Sequence, residues 1–124
     1  MSILLALAAA LQAQAPLLEI PRAFWGEYNT DLADCGTGLN DSRLRISWNM
    51  LQFYESTGTL REMIRNRDGS VTLLADHAGE GERWTSLYQL GLSPDGKWLT
   101  ATHPQDAESQ QSSMKRQRCP VAGK

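Results

Sequence analysis

The chain has 124 residues, and its 12 basic and 14 acidic side chains leave a formal net charge of −2. So even a balance excludes the basic face that nucleic-acid binding needs, and "KRQR" at 115 to 118 is too short to supply one. The length allows one domain with one modest core, not two.

The first fifteen residues, "MSILLALAAALQAQA", carry no charge and hold an apolar run from Ile3 to Leu11, followed by Ala13-Gln14-Ala15. That run is far short of the roughly 20 residues a spanning helix needs. The small-residue ending fits a cleavage site, so residues 1–15 read as an export signal and 16–124 as a single mature domain. The basic residues that usually precede such a run are missing. The expected location is the periplasm or the medium, with no membrane span once the signal is removed. In that oxidising setting Cys35 and Cys119, the two cysteines, are expected to form a disulfide. Closing so long a loop stabilises a fold by roughly 4 to 5 kcal/mol in the chain-entropy model. A reactive or metal-bound thiolate would need a neighbouring base or further ligands, and neither is apparent.

The stretch "NTDLADCGTGLNDS" at 29 to 42 reads as a loop. Leu44, Ile46 and Trp48 then alternate with Arg43, Arg45 and Ser47, the period of two of a half-buried strand. The phase slips after Trp48, as Leu51 and Phe53 take the apolar places, and a turn or bulge at Asn49 accounts for it. Ser56-Thr57-Gly58 supplies a turn between strand-like runs Leu51 to Glu55 and Thr59 to Arg65. Asp68-Gly69 is a hairpin signal and leads into Val71, Leu73 and Ala75. Trp84, Ser86, Tyr88, Leu90 and Leu92 form a further alternating run. "SPDGKW" at 93 to 98 is a turn before the strand Trp98 to Ala101. The polar "PQDAESQQSSMK" after His103 reads as an excursion or a short helix. Strands at this spacing with hairpin-length connections predict an all-β protein, an antiparallel meander of about seven or eight short strands closed into a barrel. An open β-sandwich is the alternative.

The richest chemistry lies in "ADHAGEGERWTS" at 75 to 86. If Val71 to Asp76 and Arg83 to Leu92 are neighbouring strands, "HAGEGE" is their hairpin tip, with Glu80 and Glu82 in water and His77 at a strand end. Consecutive residues of a strand point to opposite faces, so Asp76 and His77 do not chelate together, and His103 belongs to another loop. No metal is expected, because the H-E-x-x-H and C-x-x-C spacings are absent. A phosphate loop's lysine and a G-x-S-x-G elbow are also missing, so neither an enzyme nor a cofactor is expected. Glu55, Glu62, Asp76 and Glu82 offer carboxylates for acid–base work, but a solvated strand face explains them with fewer assumptions.

"AFWGEY" at 23 to 28, the run of short antiparallel strands, and "RQRC" at 116 to 119 together resemble the small secreted lipocalin-like, or calycin-type, barrels of bacteria. In that superfamily a Gly-x-Trp motif on the first strand packs under an arginine from near the chain end. Here Gly26-Glu27-Tyr28 has tyrosine in the tryptophan's place, and Trp25 stands before the glycine. The resemblance implies that Arg116 or Arg118 stacks on Trp25 or Tyr28 to close the barrel, a contact worth about 0.5 to 2 kcal/mol. It also implies a non-catalytic binding protein for a small apolar molecule. Its expected contacts are Trp48, Phe53, Tyr54, Trp84 and Tyr88, although aromatics in so small a domain also build its core. Glu55 is an inward polar anchor if it continues the face of Leu51 and Phe53, and a solvated turn residue otherwise. Some relatives instead inhibit enzymes through loops. Here 29 to 41 and 76 to 82 would then meet a secreted protein target.

Overall fold

The computed structural model describes residues 18–38, 40–104 and 114–121. The expected signal at 1–15 and nearly all of the polar excursion lie outside them. Eight strands follow in chain order: β1 (Gly26–Asn29), β2 (Leu44–Ile46), β3 (Met50–Phe53), β4 (Thr57–Arg65), β5 (Val71–Gly79), β6 (Glu82–Leu92), β7 (Trp98–Thr102) and β8 (Met114–Arg118). Each pairs antiparallel with its neighbours, and β8 returns to β1, so the meander closes into a barrel rather than an open sandwich. Closure removes the unpaired edges that a sandwich would expose. No described helix is long and apolar enough to cross a membrane.

Turn chemistry fixes the register, and in three places it moves the boundaries expected from periodicity. First, β2 stops at Ile46, and the chain turns through Ser47–Asn49, where the Ser47 N–H donates to the Met50 carbonyl at 3.0 Å. Leu51 then lies opposite Ile46, which is the origin of the phase slip. Second, β3 ends at Phe53, and the turn is Tyr54 to Ser56, closed by Phe53 N–H to the Ser56 carbonyl at 2.8 Å. Gly58 is therefore not a turn residue but part of β4, opposite His77. A Cβ there would stand 2.8 Å from His77 Nε2, so only glycine leaves that histidine its space. Third, β5 runs on to Gly79, leaving Glu80 and Gly81 as a two-residue turn with φ of 50° and 79°. Two successive positive φ values match the twist of the flanking strands. The Asp68-Gly69 and Pro94 to Gly96 turns stand where the sequence puts them. A register shift between Leu60 and Glu62 makes Arg61 an extra residue, so Leu60 and Met63 both pack on the core.

The interior is filled from one end upward by Phe24, Tyr28, Leu44, Ile46, Leu51, Val71, Leu73, Ala75, Leu90 and Leu99. The segment before β1 seals that end as a floor. Ile20, fully buried, donates its N–H to the Trp48 carbonyl, while Trp25 Nε1 donates to the Ile20 carbonyl at 2.8 Å and the Tyr28 hydroxyl to the Phe24 carbonyl at 2.7 Å. Arg118 locks these parts together. Its Nε donates to Gly96 O and its Nη1 to Trp25 O, both at 2.8 Å, its Nη2 donates to Ala23 O, and its guanidinium lies 5.0 Å from the Tyr28 ring centre. Burial pushes the Tyr28 hydroxyl up to about 12, with Arg118 opposing the rise. The Cys35–Cys119 disulfide, with Cα atoms 5.7 Å apart across 84 positions, pins the β1–β2 loop against the chain end.

Candidate functional site

At the end of the barrel opposite the floor, the β3–β4 turn and the β5–β6 hairpin border a cleft of about 360 Å³. Phe53, Tyr54, Glu55, Ser56, His77, Trp84, Tyr88 and Asp41 line it. Five of the six residues expected to touch a ligand thus meet in one place. Trp48 does not join them: β2 ends before it, so it lies in the β2–β3 turn at the floor end, 52% exposed. Glu55 stands beyond the end of β3 at the rim and is exposed. It is the solvated turn residue, not a buried anchor on the face of Leu51 and Phe53.

The centre of the cleft is His77, which the sequence places at a strand end beside the hairpin tip. Because β5 continues beyond Asp76, the inward alternation of Val71, Leu73 and Ala75 carries on to His77, which is 3% exposed. Its ring stacks on Trp84 at 5.2 Å with an interplanar angle of 6°. Its Nε2 meets the Tyr88 hydroxyl at 2.8 Å and its Nδ1 the Ser56 hydroxyl at 3.3 Å. A neutral imidazole donates through one nitrogen and accepts through the other, so Ser56, His77 and Tyr88 form one directional hydrogen-bond chain. Burial, helped by His103, pushes His77 below its ordinary value and keeps it neutral. Burial likewise raises the Tyr88 hydroxyl to about 12, so it stays protonated.

His103 follows β7, and its ring lies 4.7 Å from that of Tyr88, with Nδ1 at 3.0 Å from the Leu87 carbonyl. His77 and His103, which the sequence places in different elements, therefore both contact one tyrosine. On its other side Tyr88 stacks with Phe53 at 5.9 Å. Arg116 of β8 faces inward beside Leu99, and its guanidinium is 5.9 Å from the Phe53 ring centre. Of the two arginines that the resemblance offers for closing the barrel, Arg118 makes the contact with Tyr28. Arg116 lies one inward position, about 7 Å of strand, nearer the mouth. Trp25 carries the guanidinium of Arg22 instead, at 5.1 Å.

Outside the barrel, a groove of about 440 Å³ crosses β4 to β6 beside Ile64 and Leu74, and one of about 800 Å³ runs beside the disulfide. Both are larger than the mouth cleft, but neither gathers aromatic rings around a buried imidazole. Ligand-type atoms of Glu27, Cys35 and Cys119 lie within 4.8 Å of one another. The two sulfurs are bonded to each other, and the Glu27 carboxylate accepts from Gly36 N–H, Asn29 Nδ2 and Arg45 Nε, so this cluster is structural.

Phe53, Trp84 and Tyr88 are legible in the sequence because alternation puts them on inward faces, while Tyr54 enters the cleft from the β3–β4 turn. Sequence reasoning missed His77 by ending β5 too early, and Ser56, His103 and the mouth position of Arg116 because they depend on how the strands close. Compared with known proteins, the chain matches no family model, no curated protein and no solved structure.

Proposed function

We propose that this is an exported, non-catalytic binding protein of the lipocalin-like kind, which holds a small molecule with an apolar or aromatic body at the barrel mouth. One observation carries the reading: Phe53, Tyr54, Trp84, Tyr88 and His77 converge on a single cleft at the end of the barrel opposite the sealed floor. Ring-lined concavities with a few polar groups are the usual form of small-molecule sites. The lipocalin-like kinship is supported by Gly26-Glu27-Tyr28 lying under Arg118, and export by the disulfide. The polar chain of Ser56, His77 and Tyr88 orients the aromatic walls. Its histidine is occupied on both nitrogens, which suits a fixed recognition surface better than proton transfer.

Native mass spectrometry of the oxidised protein, with tryptophan fluorescence against aromatic and aliphatic compounds, tests this reading. A bound mass, or a shift lost in Trp84→Leu but kept in Trp48→Leu, is the expected result. No bound mass and no shift with any compound sinks it.

A second reading, interaction with a secreted protein through the β1–β2 loop, has one observation in its favour. That loop is braced by the disulfide, by Asp31 accepting from Ala33 N–H, and by Glu27 accepting from Gly36 N–H, yet it exposes Leu32. A partner that protects Leu32 and leaves Trp84 unchanged would favour it.

A further inference from the structure

Arg116 and Arg118 leave the same strand on the same side, yet they are bonded unequally. Arg118 makes three hydrogen bonds to backbone carbonyls. Arg116, only 8% exposed, makes one, from Nε to the Ser42 carbonyl at 2.6 Å. Its two terminal nitrogens find no acceptor among the described residues, and the ion pairs there, Arg45–Glu27 and Arg61–Asp76, do not involve it. A guanidinium cannot escape burial by giving up its proton, as a lysine can. Among the described residues the fully buried polar side-chain atoms without a partner belong to Asn29, Asn40 and Arg43, so the terminal nitrogens of Arg116 keep contact with solvent, where an opposite charge can reach them.

The position of this cation shows what would neutralise it. Its guanidinium lies 5.9 Å from the ring centre of Phe53, a residue that lines the mouth cleft, and so stands just behind the cleft wall. The Nε contact with Ser42 holds the planar group in place, with both terminal nitrogens free to make a forked pair. Such a pair matches a carboxylate, and the aromatic rings match an apolar body joined to it. Nothing else favours an anion here. The formal net charge is −2 and the cleft rim carries Asp41 and Glu55, so among the described residues preference for a negative ligand rests on Arg116.

We propose that Arg116 is the counter-charge for a ligand anion, and that the mouth cleft takes organic acids whose aromatic or aliphatic body lies against Phe53, Trp84 and Tyr88. This rests on the binding reading above and specifies the ligand class for the same cleft.

The test uses matched pairs that differ only in charge, 1-naphthaleneacetate with 1-naphthaleneacetamide and octanoate with octanamide, titrated into the oxidised protein by calorimetry at neutral pH. The acid of at least one pair should bind about ten-fold or more tightly than its amide, the size expected of a charge-assisted hydrogen bond. In Arg116→Gln the preference should vanish while the amide still binds. Should Arg116→Gln fail to fold, Arg116→Lys replaces it. That variant keeps the charge but loses the fork, and it should weaken the preference. Equal binding of acid and amide by the wild type overturns the role of Arg116 and leaves the binding reading standing. A preference unchanged by the substitution also overturns it. If none of the four compounds binds, the binding reading falls and this inference falls with it.

Discussion

The two ends of the barrel hold an arginine each, two positions apart on β8, and they use it in opposite ways. At the floor, Arg118 spends all three kinds of guanidinium nitrogen on carbonyls from two segments and covers Tyr28. Toward the mouth, Arg116 keeps its terminal nitrogens unengaged among the described residues and lies beside the ring of Phe53. The difference comes from what surrounds each one. The segment before β1 folds under the barrel and offers carbonyls to Arg118, whereas Arg116 meets one carbonyl among the described residues, that of Ser42. An identical residue type is thus tied by three hydrogen bonds at one end and by one among the described residues at the other.

The comparison can be broken from either side. The largest loss should follow Cys35→Ala with Cys119→Ala, because the disulfide ties the β1–β2 loop to the segment after β8 across 84 positions. The chain-entropy model puts that loss at roughly 4 to 5 kcal/mol, measured by urea unfolding with the oxidised wild type as reference. Next comes Arg118→Met, which strands the carbonyls of Gly96, Trp25 and Ala23. It should cost about 3 kcal/mol, against no more than about 1 kcal/mol in either direction for Arg116→Met, which removes a buried charge with little pairing to lose. Equal costs would mean that the two arginines do the same work.

Gly58→Ala separates the mouth from the floor in another way. Its Cβ would collide with His77 Nε2, so the Ser56–His77–Tyr88 chain has to shift. A cost of about 1 to 3 kcal/mol is expected, together with a change in Trp84 fluorescence and none in the environment of Trp25. The smallest effect is on pH dependence. His77 is held below its ordinary value in the folded protein, so below pH about 6.5 the unfolded chain binds more protons there. The stability contributed by neutral His77 is therefore full above that pH and is lost as the pH falls through the folded value. Melting temperature should decline from pH 7 to 5, and His77→Gln should flatten the decline. Glu27, Asp68 and Asp95 all have lowered values, so their contributions disappear only in more acidic solution.

How legible the site was depended on the range of the interactions that build it. Phe53, Trp84 and Tyr88 were readable because alternation along a strand is a local property. Trp48 obeyed the same alternation and still lies at the far end, since a pattern of period two does not say where a strand stops. His77 was misplaced for the converse reason: glycines at 79 and 81 suggested an early turn, but only Glu80 and Gly81 take positive φ values there. Gly58 resembled a turn signal for Ser56 and Thr57, yet its purpose lies across the sheet, in the space it leaves for His77.

By itself, the sequence determined the class of fold, the hairpin connections and the pairing of Cys35 with Cys119. Each follows from short-range backbone preferences or from there being two cysteines to pair. Tertiary structure alone decided between the expected barrel and the open sandwich, that Arg118 and not Arg116 seals the floor, and that His77 of β5 and His103, just after β7, meet at Tyr88. Those outcomes depend on strand register around a closed circle, where the position of each side chain is set by partners distant in the chain.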